Sequence, residues 1–235
     1  MENTLKLLKK HNQGHLLRFR DELDQSAGKA LIGQINSLDM PKIELWADKY
    51  IKNEYNEPLP DKFKAADYYP AKPQDNKTKD KFDKAKQLGQ ELISSGKVGA
   101  FVVAGGQGTR LGFDGPKGNY PVSPIKNKTL FRIFAETIKE VSKKYNTTCP
   151  WYVMTSPLND AATKQIFEQN DYFRLKKENV FIFQQGTNPN FDFQGRILLA
   201  DKGKIACSPN GHGGSLKALY QSGAVKDMRD RGIEY

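Results

Sequence analysis

The fifteen residues from Ala104 to Gly118 carry the densest chemistry in the sequence: Ala-Gly-Gly-Gln-Gly-Thr-Arg-Leu-Gly-Phe-Asp-Gly-Pro-Lys-Gly. Glycine lets bare backbone amides come close to a ligand. Gly105 and Gly106 can meet a planar base edge without side-chain interference, and Gly108 with Thr109 can turn the chain around a triphosphate. Arg110 offers a planar fork of donors for phosphate oxygens, and Lys117 a compact point charge whose approach Pro116 stiffens. The apolar run Val98–Ala104, directly before the loop, reads as a buried strand. Amides and two cations following a strand make a site for a phosphorylated ligand, above all a nucleotide.

The common phosphate motifs do not fit this loop. A P-loop needs G-x-x-x-x-G-K-[ST], and no register supplies it. The dinucleotide fingerprint begins at Gly106-x-Gly108 but meets Leu111 where its third glycine belongs, with Gly112 one residue late. No acid stands near position 125 to hold a ribose, where the sequence reads Ser123-Pro124-Ile125-Lys126. A redox dinucleotide site is therefore disfavoured. Singly, each glycine reads as a tight turn and Lys117 as a solvated charge; their concentration behind one strand points to function.

The elements that must position this loop follow from periodicity. From Lys97 onward, strands and helices alternate. Trp151–Thr155 and Val180–Phe183 read as further strands, and Thr129–Val141 as an amphipathic helix with Leu130, Phe131, Ile133, Phe134, Ile138 and Val141 on its apolar side. Asn159 is placed to cap a helix running through Phe167. Arg196–Ala200 and Ile205–Cys207 flank Asp201-Lys202-Gly203 as a hairpin, and short helices follow at Ser215–Tyr220 and Ala224–Arg231. Such alternation predicts an α/β fold, a mainly parallel sheet sandwiched by helices, with ligands bound beyond the carboxyl ends of the strands. Residues 1–95 read as an N-terminal helical region and connector, broken at Asp39-Met40-Pro41, aperiodic over 53–80 and helical again over Lys81–Ser95. Residues 96–235 form the second region.

Composition narrows the class. The 235 residues carry a net charge of +10 and a mean hydropathy of −0.69. The first 95 residues hold 17 basic and 15 acidic side chains and the remainder 20 and 12, so the excess of +8 lies with the glycine loop. That field favours polyanionic ligands. Nucleic acid is not expected, because the lysines are scattered among acids without a basic stripe and interleaved aromatics. Neither a membrane span nor a signal peptide is read from the sequence. Cys149 and Cys207 read as reduced core thiols of a cytoplasmic protein. His11 and His15 are helically spaced but lack supporting carboxylates, so a packing role is expected and no metal ligand is assigned.

The loop resembles that of the eukaryotic-type UDP-N-acetylglucosamine pyrophosphorylases, whose signature runs G-G-x-G-T-R-L-G and then P-K-G. Agreement extends to Lys128-Thr129-Leu130-Phe131, Pro150 through Ser156, Lys177-Glu178-Asn179-Val180, and Phe183-Gln184-Gln185-Gly186. It continues through Pro209-Asn210-Gly211-His212-Gly213-Gly214 and Met228 to Arg231-Gly232-Ile233. The N-terminal Phe19-Arg20-Asp21-Glu22-Leu23 and Glu57-Pro58-Leu59-Pro60 fit the family's helical leader. Related enzymes acting on UDP-glucose or mixed UDP-sugars share the fold but differ around the loop.

The resemblance implies a Rossmann-like, glycosyltransferase-A-like nucleotidyltransferase that makes UDP-N-acetylglucosamine and pyrophosphate from UTP and an N-acetylhexosamine 1-phosphate. By the same resemblance, Gly105, Gly106 and Gln185 hold uracil, Gly211 and His212 close over base or ribose, and Gly108 and Thr109 turn around the triphosphate. Arg110 steadies the departing pyrophosphate and Lys117 the α-phosphate. Asn210 stands where the family usually has aspartate. Magnesium is implied as cofactor, with its aspartate ligand in a strand beyond Tyr235. A UDP-glucose or UDP-sugar pyrophosphorylase of the same fold and a truncated chain that binds nucleotide without turnover are the alternatives, and sugar choice and oligomeric state are unread.

Overall fold

The computed structural model describes residues 2–52 and 59–235. Of the leader motif Glu57-Pro58-Leu59-Pro60, the first two residues thus lie outside the described residues. In chain order the elements are α1 (Glu2–Lys10), α2 (Gln25–Asn36), α3 (Met40–Ala47), α4 (Asn76–Ser94), β1 (Ala100–Val103), α5 (Leu130–Lys144), β2 (Trp151–Thr155), α6 (Asp160–Gln169), β3 (Val180–Gln184), β4 (Thr187–Pro189), β5 (Leu199–Asp201), β6 (Lys204–Ile205), β7 (Cys207–Pro209), α7 (Ser215–Gln221) and α8 (Ala224–Asp230). None of the described helices is long and apolar enough to cross a membrane.

The chain divides into two compact units, one of residues up to Ala66 with Thr187–Ser208, the other of Asp67–Gly186 with Pro209–Tyr235. These bounds differ from a division at residue 95: α4 clusters with the sheet, and the 187–208 segment with the N-terminal helices. In that first unit, Leu8, Leu16, Leu31, Ile35, Met40 and Ile43 form one core with Ile197 and Ile205. Two glutamines explain why the hairpin β5–β6 and the segment leading into it belong there. Gln13 donates to the carbonyl of Gly195 and accepts from the amide of Ile197, and Gln34 does the same for Gly203 and Ile205. Each side-chain amide thus satisfies the backbone as a neighbouring strand would.

The break expected at Asp39-Met40-Pro41 is instead the start of α3. Asp39 accepts from the Lys42 amide, and proline sits in the first turn, where its missing N–H is not needed. His11 lies just past α1 and His15 in a separate 3-10 turn, so their helical spacing is not realised. His11 pairs with Glu44 at 2.9 Å and His15 with the Ile197 carbonyl at 2.7 Å, both packing contacts.

The second unit is built on a parallel sheet of order β1-β2-β3. Alternation along the strands sends side chains to two faces. Trp151, Val153, Val102 and Ile182 pack against Phe131, Ala135 and Ile138 of α5 and Phe167 of α6. Tyr152, Met154, Phe183 and Val103 face Ala218 and Leu219 of α7 and Ala224 of α8. Helices therefore cover both faces, as expected. β2 is central and buried throughout, while β1, expected to be buried, is an edge strand whose Phe101 is 40% exposed. α4 starts at Asn76, five residues before the expected helix, because Asp75 caps it through the Thr78 amide; Gly96, at φ +72°, follows its end. Cys149 is half-buried and Cys207 exposed, both free, so the core-thiol expectation fails for Cys207, which lies on the short strand β7.

At the junction of β2, β3 and α6 sits the buried carboxylate of Asp160. Thr155 donates to it at 2.6 Å, Gln184 at 2.9 Å, and Lys164 pairs with it at 2.8 Å. Burial pushes its pKa up, but these three partners outweigh burial and hold the carboxyl below its usual value. Its stabilisation is therefore complete above the unfolded-state pKa of about 4 and lost as pH falls through the folded value. Asp160→Asn is expected to cost roughly 2 kcal/mol at pH 7. Denaturant melts at neutral and acid pH should show the wild type losing stability towards pH 3 more steeply than the variant.

Candidate nucleotide site

The glycine loop leaves the carboxyl end of β1 after Ala104, whose amide still bonds to the Met154 carbonyl at 2.7 Å. It then closes on itself. Lys117 donates its amide to Gly106 at 3.0 Å, Gly108 to Gly115 at 2.9 Å, and Phe113 to Gly108 at 3.2 Å. Gly108 is buried, and a Cβ there would stand 2.7 Å from the Phe113 ring and 2.9 Å from its carbonyl. This glycine is required by packing within the loop. Thr109–Leu111 form an exposed 3-10 turn ended by Gly112 at φ +66°, a conformation that favours glycine.

A cavity of about 380 Å³ opens at this end of the sheet. Six of the residues expected to form the site line it: Gly105, Gly106, Lys117, Gln185, Gly211 and His212. Gly108, Thr109 and Arg110 do not; they stand in and around the outer turn. The floor comes from residues that sequence reasoning assigned only to packing, notably Leu130, Phe131 and Phe134 at the start of α5. Their signal was an apolar stripe broader than the buried face, for Phe134 remains 38% exposed.

Gln185 and Gln184 separate as strand alternation requires. Gln184 bonds to Asp160, while Gln185 continues the ladder through its amide to the Thr155 carbonyl and turns its side chain to the cavity. Gln185 is only 6% exposed, and its Oε1 is buried without a hydrogen-bond partner. Its Nε2 lies where a Cβ on Gly105 would come within 2.3 Å. Only glycine at 105 lets this amide reach its position. A buried acceptor left unpaired costs stability, so an orphan amide oxygen beside a cavity marks a place where a donor can bind.

The 3-10 turn Gly211–Gly214 contributes Gly211 and His212 to the cavity lining, with Gly211 at φ +60° and His212 exposed. Asn210 positions this turn. Its amide bonds to Gly186 at 3.1 Å, and its side chain packs so closely that a Cβ on Gly186 would meet it at 2.8 Å and one on Gly214 at 2.1 Å. Position 210 thus acts as a wedge between two glycines.

The cavity lining carries the cation Lys117, and the outer part of the loop holds both Arg110 and Asp114. Among the described residues, Arg110 and Lys117 are exposed and form no ion pair. No carboxylate lines the cavity, and the described residues hold no cluster of three potential metal ligands. The lining does not fit a magnesium site of its own.

The family model described as UTP--glucose-1-phosphate uridylyltransferase matches residues 47–235. A UDP-N-acetylhexosamine pyrophosphorylase-like protein 1 of Xenopus tropicalis is 32% identical over 100% of this chain and 48% of its own length. The UDP-N-acetylglucosamine pyrophosphorylase of Saccharomyces cerevisiae is 40% identical over 63% of this chain and 32% of its own. A crystal structure of the uridine diphosphate N-acetylglucosamine pyrophosphorylase from Trypanosoma brucei, in complex with inhibitor, superposes with a TM-score of 0.73 at 26% identity, covering 99% of this chain and 49% of that one. The chain spans about half the length of the relatives it matches along its whole length. With a match over most of its residues, the chain belongs to the UTP--glucose-1-phosphate uridylyltransferase family.

Proposed function

We propose that the cavity binds UTP and serves uridylyl transfer to an N-acetylhexosamine 1-phosphate, N-acetylglucosamine 1-phosphate first. The observation that carries this reading is the buried, unpartnered Oε1 of Gln185, whose Nε2 packs over Gly105, with Lys117 at the same cavity. Uracil presents a donor beside an acceptor on one edge, and a carboxamide complements both. In the reaction, a phosphate oxygen of the sugar phosphate forms a bond to the α-phosphorus of UTP. The α–β bridging bond breaks, and pyrophosphate leaves with the electron pair. The nucleophile is already ionised, so His212 is not needed as a base. Catalysis of this kind rests on positioning and charge neutralisation. Lys117 would stabilise the α-phosphate, with exposed Arg110 reaching the pyrophosphate from the outer turn. The names of the relatives support the N-acetylhexosamine branch. The parallel sheet with helices on both faces supports a Rossmann-like, glycosyltransferase-A-like class, and two free thiols accord with a cytoplasmic setting.

Binding without turnover is the second reading, favoured by a lining that contains no carboxylate for a metal. Incubation with UTP, N-acetylglucosamine 1-phosphate and magnesium, followed for pyrophosphate, separates the two. Release that requires both substrates supports transfer. Saturable UTP binding with no release supports the second reading, and absence of UTP binding contradicts both.

A further inference from the structure

Asn159 was placed by its sequence position to cap α6, yet its side chain makes no bond to that helix. We infer that Asn159 is a positioning residue for the cavity: its amide clamps the glycine loop from behind and fixes the direction of the loop's peptide groups. The ligand half of this inference rests on the UTP reading above, and the conformational half does not.

Asn159 is 1% exposed. Its Nδ2 donates to the carbonyls of Ala104 at 2.9 Å and Gly106 at 3.2 Å. Its Oδ1 accepts from the amide of Ser156 at 2.9 Å and the hydroxyl at 3.1 Å. Two hydrogens and two lone pairs are thus all used, which sets the amide in a single orientation and leaves nothing for a ligand. Asn159 must therefore act through the groups it holds.

Those groups need holding. Gly105-Gly106 is the stretch with the greatest backbone freedom in the loop. Peptide units are planar and trans, so pinning the Ala104 carbonyl turns the Gly105 N–H the opposite way, and pinning the Gly106 carbonyl does the same for Gln107. The Gly106 carbonyl also accepts from the Lys117 amide, so one carbonyl ties the start of the loop to its end. Gln107 adds a second link, donating to the Leu158 carbonyl at 3.3 Å. The clamp itself is anchored, because the next residue, Asp160, is bonded to β2 and β3.

Asn159→Asp tests this directly. The carboxylate keeps acceptors for Ser156 but loses both donors and sets a charge against two carbonyls. Hydrogen exchange over residues 104–118 should accelerate at least about tenfold with β2 unchanged, and UTP affinity measured by calorimetry should fall about tenfold, the scale of one hydrogen bond. Unchanged loop exchange and affinity overturn the proposal. So does equal acceleration in β2, which would mark a merely structural role. Should the aspartate not fold, Asn159→Ser, with a single donor, carries the same two readouts. If the wild type fails to bind UTP, the functional reading falls while loop exchange still decides the clamp.

Discussion

Lys117→Ala is expected to lower transfer by roughly 10²–10³-fold, about 3–4 kcal/mol, by analogy with removal of one donor that stabilises transition-state charge. The side chain is exposed and its ammonium has no ion-pair partner among the described residues, so its removal breaks no ion pair of the fold. The melting temperature should therefore stay where it is. The loss should also fall on the phosphates and spare the base. In binding experiments, affinity for UTP should drop while affinity for uridine holds. A variant that weakens both equally would assign Lys117 to the shape of the loop, through its proximity to Gly106, instead of to phosphate recognition.

One residue further on, the expected effect reverses. A Cβ on Gly118 would stand 2.2–2.5 Å from three carbons of the Phe131 ring. That ring is 1% exposed and packs edge-on against Trp151 and Phe167, so moving it away from position 118 disrupts these contacts. Overpacking of this kind makes Gly118→Ala cost about 3 kcal/mol, a fall of roughly 6–12 °C in melting temperature for a chain of this size. Phe131 also lines the cavity, so nucleotide affinity should fall with stability. The adjacent pair thus forms a contrast: alanine at 117 removes function and leaves the fold, whereas alanine at 118 disturbs both. Thermal melts of the two variants side by side check it.

What could be read from residues alone was whatever depends on near neighbours. The apolar run Trp151–Thr155 gave β2 with its bounds unchanged, because a central parallel strand is apolar on both faces. Strand alternation sends Gln184 and Gln185 to opposite faces, and the structure separates them accordingly. Misreadings arose where the partner lies far along the chain. Asn159 looks like a helix cap because its local setting is one, but its Nδ2 donates to residues 53 and 55 positions upstream. The hairpin β5–β6 looked like part of the alternating region, but Gln34 holds its backbone and Gln13 the segment leading into it, each more than 160 positions away. Phe101 illustrates a third limit, since an apolar run does not reveal whether its strand will be central or at an edge. Within the candidate site, the glycines and cations were visible as types and spacing. That Gly108 serves Phe113, and that the floor is aromatic, required the packing.

The most direct test of the account is a calorimetric comparison of UTP with CTP for the wild type and for Gln185→Leu, which removes both halves of the amide at nearly constant volume. The account predicts that the wild type prefers UTP, because cytosine inverts the donor and acceptor that the amide must meet. It predicts further that leucine at 185 abolishes the preference without lowering the melting temperature, since the Oε1 it removes has no partner in the fold. Equal affinity of the wild type for the two nucleotides, or a preference that survives in the leucine variant, would contradict it.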